Sequence, residues 1–419
     1  MRIILIIFLF IQSVFCINCE SDTKPKEGKL LYIPENLLHE LKKDIIDNDD
    51  SLEPYVTQLR ELADNMMNEG PWSILDDQIN IPDKDVQDYY SESPYWWPDP
   101  ENPEEPYIRH DGVRNPDRFI GHKTLLMKTY QAVTALSFAS YLFDKKEYAE
   151  KAAEIIEVWF INEKSKMNPH LKYAQIIRNK PVKRGVGIIE THRFTRFIEA
   201  VNVLHKTGYW SDDEYRSLQK WFEEFLVWLT VSEYGIDEKE RGNNHSSWWA
   251  AQVAAFSTFV DKLELLNEIN DYAETFLVDN QFKSDGSQPK EEERTLSLFY
   301  STFNLSALTT LACVLGNYDY DLWNYKNREN SSLIDGIEYT TLYVTNPDDW
   351  EKTQLKPLEE DAPLYLGFAG LALDNYDYIK LYKELNNKLQ FDTYDTFGDP
   401  FELILDMLIE YKFNKHTTE

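Results

Sequence analysis

Two short segments near the middle of the chain carry side chains suited to acid–base chemistry. The first holds Asn244 and His245, and the second, about fifty residues later, holds Arg294 and Tyr300. An amide and a guanidinium can neutralise a carboxylate, while an imidazole and a phenol can transfer protons. Together these groups suit the removal of a proton beside a carboxylate and the expulsion of a sugar oxygen.

The first segment has the pattern of a helix start. Asn is a favoured cap, so Asn243 and Asn244 predict a helix with His245 in its first turn. A helix N-terminus disfavours the imidazolium, and we therefore expect His245 to be neutral and able to accept a proton. The alternative is a capping Asn beside an ordinary hydrogen-bonded His.

The spacing of Arg294 and Tyr300 sets a structural requirement. Six residues correspond to about 120° around a straight helix, so the two side chains would share a face poorly. A common site requires one of them to lie at a helix end, or the helix to be irregular. Otherwise Arg294 is better explained as an ion-pair partner of Glu190 or Glu291.

A long aromatic segment, about residues 80–117, interrupts the helical pattern. Tyr95, Trp96 and Trp97 stand between prolines that favour an extended backbone. Their flat faces with polar edges suit stacking on sugar rings. The alternative is a strap that packs over the helices and buries its aromatic side chains.

The chain is acidic overall but contains one basic stretch. Its 73 Asp and Glu residues outnumber 43 Lys and Arg, which argues against nucleic acid or an anionic membrane as a partner. Between residues 164 and 196 nine basic residues face one acid, Glu190, and His192 lies among them. This stretch indicates a local anion site, or else a basic surface loop without a ligand. The basic residues are Lys164, Lys166, Lys172, Arg178, Lys180, Lys183, Arg184, Arg193 and Arg196.

Most of the chain has apolar residues at helical spacing, and 338–344 is the best of the few strand candidates. Repeated helical hairpins predict an all-α fold, either a solenoid or an α/α toroid, and the lack of a fixed repeat argues against the solenoid. With no linker visible in the middle, residues 17–419 are expected to form a single domain.

The N-terminus has the charged start, short apolar run and small exit residues of a secretory signal peptide, residues 1–16. We expect a secreted monomer without a membrane span after cleavage. Only Cys19 and Cys313 would remain, which allows at most one internal disulfide. The sequons at Asn304 and Asn330 are candidate glycosylation sites.

The ordered motifs resemble the alginate lyase superfamily, nearer to polysaccharide lyase family 38 than to the shorter, related family 5 enzymes. The matching segments span about residues 80 to 310. They are Pro94 to Pro100, Arg109 to Pro116, Asn243-Asn244-His245, Asp285 to Pro289, and Arg294 with Tyr300.

The resemblance implies an α/α toroid, an incomplete barrel of about six helical hairpins, whose cleft binds a linear polyuronate and cleaves it by β-elimination. Asn244 and Arg294 match the residues that neutralise the C5 carboxylate, and Tyr300 the phenol that protonates the leaving O4. The base is either His245, or Tyr300 itself with its pKa lowered by Arg294. Neither a metal ion nor a cofactor is expected.

Further side chains are candidates for contacts with the anionic polysaccharide, because they are aromatic, basic or next to the catalytic motifs. These are Tyr95, Trp96, Trp97, Arg114, His192, Arg193, Asn243 and Trp248.

Two other functions fit the same chain. An inverting glycoside hydrolase on an α/α barrel would use carboxylates such as Asp99, Asp111 or Glu190. A non-catalytic carbohydrate-binding protein would keep the cleft without turnover. The residues leave open which uronate is preferred and whether cleavage is internal or terminal.

Overall fold

The computed structural model describes residues 28–46, 51–81, 83–102, 104–180, 182–358, 363–388 and 399–418. The predicted signal peptide and Cys19 lie outside these ranges. The described helices are α1 (Glu35–Ile46), α2 (Glu53–Met66), α3 (Gly121–Phe143), α4 (Lys146–Ile156), α5 (Phe194–Lys206), α6 (Asp212–Val231), α7 (Glu233–Lys239), α8 (Asn244–Phe259), α9 (Glu264–Tyr272), α10 (Asp279–Gln281), α11 (Pro289–Glu292), α12 (Ser297–Gly316), α13 (Leu333–Thr345), α14 (Leu364–Ala372), α15 (Tyr376–Lys388) and α16 (Pro400–Thr418).

Short non-α elements connect some of these helices. Two π-helical segments, Glu157–Ile161 and Ala273–Val278, continue α4 and α9, and 3₁₀ turns cover Gly185–Thr191 and Pro347–Asp349. Four short strands, β1 (Tyr90–Glu92), β2 (Trp96–Trp97), β3 (Ile108–Arg109) and β4 (Tyr173–Ile176), form two pairs. β1 lies parallel to β4, and β2 antiparallel to β3.

Six helices form an inner ring, and the predicted α/α toroid is confirmed. Each helix contacts the next around the ring, in the order α3, α5, α8, α12, α14 and α16, and α16 contacts α3. The C-terminal helix α16 belongs to this ring, because it contacts both α14 and α3. Most residues of α5, α8, α12 and α14 are buried around the whole helix, as their apolar and small side chains require. Amphipathic helices such as α4, α6 and α15 pack outside them.

Helix α12 is long and apolar enough to cross a membrane, contrary to the expectation that no stretch after the signal peptide is. Of the described helices it alone passes that test. Most of its residues are buried inside the protein, where it forms part of the inner ring. Its apolar composition is therefore explained by its position between other helices. Cys313 is buried in this helix.

Local helix signals were predicted more accurately than the strand. The capping box at the start of α6 is present, with Ser211 and Glu214 each bonding the other's backbone. The strand expected at 338–344 is wrong, because these residues belong to α13. A capping box at Ser332 starts that helix, and Ile337, Thr340 and Val344 point into the core at helical spacing. Burial on one face outweighs the β preference of these residue types.

The two sequons differ in accessibility. Asn304 is buried in α12, where its amide donates to Gln281 and Gln288 at 2.7 and 2.8 Å. A glycan at Asn304 is therefore incompatible with the folded ring. Asn330 is exposed in a turn, so of these two sequons it is the one that stays a candidate.

A buried carboxylate fastens the first described segment to the ring. Glu199 on α5 accepts hydrogen bonds from the backbone N–H groups of Leu31, Tyr32 and Ile33. Its side chain is inaccessible to solvent, and these N–H groups have no helix or sheet partner. The contact therefore fixes a chain segment that no secondary structure holds.

We predict that Glu199→Ala lowers the free energy of unfolding by about 3–5 kcal/mol, because three buried donors lose their acceptor. Urea denaturation followed by circular dichroism measures the change. Glu224→Ala, at an exposed position on α6, is the matched control. An equal midpoint for both variants would show that the N-terminal segment adds nothing to stability.

Candidate active site

The N-terminus of α8 is held by a buried glutamate. Asn243 caps the helix as predicted, its side chain accepting from the His245 backbone N–H. Glu291, on α11, accepts hydrogen bonds at 2.6 Å from both the backbone and the amide nitrogen of Asn244. Burial raises the pKa of Glu291, while the bonds from Asn244 and the charges of Arg294 and His245 oppose that rise. Glu291 therefore lies close to both predicted catalytic segments.

Asn244 itself is 0% exposed. The sequence assigned it to direct neutralisation of a substrate carboxylate, and this arrangement does not provide that contact, because Glu291 takes its amide nitrogen. Here Asn244 joins α8 to α11 and positions its neighbours. The direct role stays a prediction that requires the site to open.

His245 is paired with a second buried glutamate, which sequence reasoning did not identify. Its Nδ1 lies 2.6 Å from Oε1 of Glu238, a fully buried residue at the end of α7. Oε2 of Glu238 lies 3.0 Å from Nε of Arg241. The carboxylate favours the tautomer with hydrogen on Nδ1, which leaves Nε2 of His245 as an acceptor.

A break between two helices brings Arg294 and Tyr300 together despite their six-residue spacing. Helix α11 ends at Glu292 and α12 begins at Ser297, so Arg294 lies in the connection and Tyr300 in the first turn of α12. The Arg294 guanidinium lies 3.8 Å from the centroid of the Tyr300 ring. One of the two predicted conditions, a residue outside the regular helix, is thus met.

The ion-pair partner of Arg294 is Asp111, not Glu190 or Glu291. Asp111 accepts from Nε at 3.1 Å and from Nη2 at 2.8 Å. Arg294 holds the pKa of the Asp111 carboxyl far below its usual value despite partial burial. Within the described residues Nη1 of Arg294 has no hydrogen-bond partner, and this nitrogen is available to a ligand.

The Tyr300 hydroxyl lies beneath the aromatic segment. It is 2.8 Å from the hydroxyl of Tyr95, and Tyr300 is only 7% exposed. Burial, reinforced by Tyr95, raises the pKa of Tyr300 well above its usual value, and the Arg294 charge opposes this only in part. Arg294 thus acts on this pKa in the expected direction, but burial outweighs it, and the net fall that a Tyr300 base would require does not occur. Tyr300 is therefore a protonated phenol, suited to donate a proton.

A segment beyond the recognised motifs fixes the helix break. Oε1 of Gln354 accepts from the backbone N–H groups of Leu298 and Phe299 at 3.0 and 3.4 Å. The Ser297 N–H donates to the carbonyl of Thr353, and the carbonyl of Thr295 accepts from Leu355. Gln354 thus caps the first turn of α12, which carries Tyr300.

The aromatic segment combines the two roles that were considered. Trp96 and Trp97 pair with β3 and are half-buried, and Nε1 of Trp97 donates to the Val113 carbonyl. At its start, Nδ1 of the fully buried His122 accepts from the Tyr90 N–H at 2.9 Å. The segment is therefore a fastened strap that still exposes part of its indole rings.

The N-terminal ends of three inner helices meet at one mouth of the ring. His192 precedes α5, and its ring packs on Trp248 of α8 and Phe303 of α12, with centroids 4.8 and 5.4 Å apart. Helix N-termini carry partial positive charge, which favours an anionic ligand here. Trp248 is 1% exposed, so it supports His192 and, contrary to expectation, does not offer a stacking face.

Most of the predicted basic stretch is paired with acids from elsewhere in the chain. Arg193, a predicted substrate ligand, lies with Arg196 against Asp399, at 3.2 and 2.8 Å. The structure thus gives Arg193 a carboxylate partner within the protein. Arg114, the other predicted basic ligand, is exposed and borders a shallow pocket next to Phe299. Other basic residues of the stretch that bind an acid are Lys166, Arg178 and Lys183.

Comparison with known proteins agrees with this geometry. A family model described as alginate lyase matches residues 76–350. The chain belongs to the alginate lyase family. It is a polysaccharide lyase. No curated protein matches the sequence significantly.

Solved structures add the fold of this lyase. An alginate lyase from Bacteroides ovatus is 27% identical and superposes with a TM-score of 0.81, covering 90% of this chain and 99% of the other. Alginate lyase A1-III from Sphingomonas species A1 is 15% identical, with a TM-score of 0.50 over 74% and 86% of the two chains. An A1-III variant complexed with a tetrasaccharide is also 15% identical, with a TM-score of 0.53 over 80% and 88%. The two A1-III structures are evidence for the shared fold alone.

Four partners of the predicted residues were missed or misassigned from the sequence, namely Asp111, Glu238, Glu291 and Gln354. Glu238 lies seven residues before His245 but in a separate helix, α7, so the pairing depends on how α7 packs against α8. Gln354 lies more than fifty residues after the start of the helix that it caps. Asp111 was quoted within a motif, but as a candidate hydrolase carboxylate. Only the fold reveals these pairings.

We predict that Gln354→Ala lowers the lyase kcat by about tenfold, because the uncapped first turn of α12 would let Arg294 and Tyr300 move apart. Steady-state assays together with a thermal melt separate this from unfolding. Leu355→Ala, at an exposed neighbouring side chain, should leave kcat unchanged. Equal kcat values for the two variants would remove Gln354 from the site.

We predict an acid sensitivity that originates at His122. Burial, assisted by the Lys84 charge, lowers the pKa of His122 to about 4. The unfolded chain, with a His pKa near 6.5, then binds a proton that the fold rejects, so stability falls as pH drops from about 6.5 to 4, by about 2–3 kcal/mol. In His122→Asn, an amide oxygen can still accept from Tyr90 without titrating. The free energy of unfolding is measured against pH for wild type and for His122→Asn, and the difference between the two curves gives the contribution of His122. Parallel curves would show that His122 does not cause the acid sensitivity.

Proposed function

We propose that this lyase cleaves alginate, or a related polyuronate, by β-elimination and leaves an unsaturated uronate at the new end. The observation that carries the proposal is the stack of Arg294 on Tyr300, with His245 and its Glu238 partner near the same buried Glu291. The names of the similar solved structures support alginate as the substrate class.

In the proposed reaction Arg294 neutralises the carboxylate of the sugar that loses its proton. Asp111 orients the guanidinium through Nε and Nη2, and Nη1 is left for the substrate. Charge develops on that carboxylate as the C5 proton leaves, so a fixed cation there lowers the barrier. The positive ends of α5, α8 and α12 favour the same anion.

His245 serves as the base and Tyr300 as the acid. Glu238 fixes the tautomer that presents Nε2, and it would stabilise the imidazolium that forms on proton abstraction. The raised pKa of Tyr300 keeps its hydroxyl protonated, ready to donate to the departing O4. The bond from C4 to O4 breaks as the double bond between C4 and C5 forms.

The inverting hydrolase alternative is disfavoured by the carboxylates it would need. A general acid requires a raised pKa, whereas that of Asp111 is lowered by Arg294. Glu190 accepts from Tyr89 and Ser91 at 2.9 and 2.5 Å and is buried. We also propose that the enzyme is secreted, since a polysaccharide outside the cell is reached only by an exported protein.

Tyr300→Phe is predicted to lower kcat by about 10²- to 10⁴-fold, since it removes the proton donor but keeps the ring beneath Arg294. Production of unsaturated ends on alginate, polymannuronate, polyguluronate and glucuronan is followed by near-ultraviolet absorbance. The control is Tyr95→Phe, which removes only the hydroxyl that faces Tyr300, and we expect less than a tenfold change.

Three outcomes are decisive. Absence of unsaturated products on all four polymers would exclude the proposed reaction. New reducing ends without the chromophore would indicate hydrolysis. Full activity of Tyr300→Phe, with His245→Gln inactive, would remove Tyr300 as the acid while keeping His245 as the base.

A further inference from the structure

Two cations beside Trp96 lack the carboxylate partners that their neighbours have. Nζ of Lys180 lies 4.7 Å and Cζ of Arg184 lies 6.0 Å from the Trp96 ring centroid. By contrast, Lys183 and Arg178 bind Glu233 and Glu92, each at 2.6 Å. Across the described ranges neither Lys180 nor Arg184 has a carboxylate within ion-pair distance.

Arg184 is the more unusual of the two because it is half-buried. Burial, with the nearby charges of Arg241 and Arg109, lowers its pKa to about 10, and the attraction of Glu238 and Asp237 offsets this only in part. A guanidinium that loses water without gaining a partner costs free energy. An anion at this point would remove that cost.

The charged neighbours of Arg184 connect it to both halves of the active site. Arg109 binds Asp111, which binds Arg294. Arg241 binds Glu238, which binds His245. Arg184 is thereby linked electrostatically to both reacting groups through one layer of ion pairs.

We propose that Arg184, Lys180 and Trp96 form a subsite for the uronate adjacent to the one that loses its proton. The guanidinium fork of Arg184 matches a carboxylate, Lys180 adds a second charge, and the half-exposed indole packs against the sugar ring. This inference rests on the proposed polyuronate substrate. The subsite implies that the enzyme requires a free carboxylate on the neighbouring sugar.

The test compares Arg184→Gln and Lys180→Gln with the matched control Lys183→Gln, which neutralises a neighbouring lysine that is already paired. On alginate we expect Arg184→Gln to raise KM about tenfold or more, as loss of a charged hydrogen bond predicts, with kcat changed less than threefold. Lys180→Gln should raise KM about threefold, and Lys183→Gln should have no effect. On alginate with part of its carboxyls esterified, the difference between wild type and Arg184→Gln should shrink.

A binding measurement separates failure of the subsite from failure of the proposed function. Calorimetry with an alginate tetrasaccharide compares Tyr300→Phe with the double variant Tyr300→Phe, Arg184→Gln, and we expect at least tenfold weaker binding for the double variant. If wild type forms no unsaturated ends, the proposed function fails, and this comparison still tests the subsite. If wild type is active but Arg184→Gln binds equally tightly, the subsite is refuted.

Two further results would also overturn it. A lower kcat at constant KM in Arg184→Gln would mean that Arg184 acts on the pair of Glu238 and His245 instead of binding the sugar. If thermal melts show that Arg184→Gln does not fold, Lys180→Gln carries the test, and an unchanged KM there would refute the subsite.

Discussion

The rest of the site depends on the hydrogen bonds between the buried Glu291 carboxylate and Asn244. Taking a carboxylate out of water costs several kcal/mol unless donors and positive charge surround it. Here the donors are the backbone and amide of Asn244, at the positive end of α8, while Arg294 supplies nearby charge. Because one carboxylate joins α8 to α11, it fixes the base and the guanidinium relative to each other.

The helix break after α11 has a similar effect at shorter range. A continuous helix would have turned Arg294 away from Tyr300, whereas the connection brings its guanidinium over the ring. Gln354 and its neighbours form hydrogen bonds with backbone groups that the break leaves without a helical partner. The irregular backbone is thereby held by packed segments, which is how a site keeps its geometry on a rigid scaffold.

The positions of individual charged groups matter more in this protein than its net charge. The net charge of −30 would repel a polyanion, yet the acids are placed where they neutralise the basic stretch or orient catalytic groups, as Glu238 and Asp111 do. Positive helix ends meet at one mouth of the ring, and the proposed subsite adds the cations of Lys180 and Arg184. At physiological salt, charges beyond about 8 Å are largely screened, so these local groups decide what binds.

The sequence by itself determined the features that near neighbours control. Capping residues placed the starts of α6 and α8, and helical periodicity predicted an all-α fold. The motifs identified the segments around His245 and Tyr300, and their resemblance to a known family implied the toroid. Tertiary structure alone decided which groups pair and which are buried. It buried Asn244 and Trp248, and it turned residues 338–344 into helix. It also raised the pKa of Tyr300, which Arg294 had been expected to lower. The physical reason is range: a cap or a period acts within a turn or two, whereas burial and ion pairs join residues far apart in the chain.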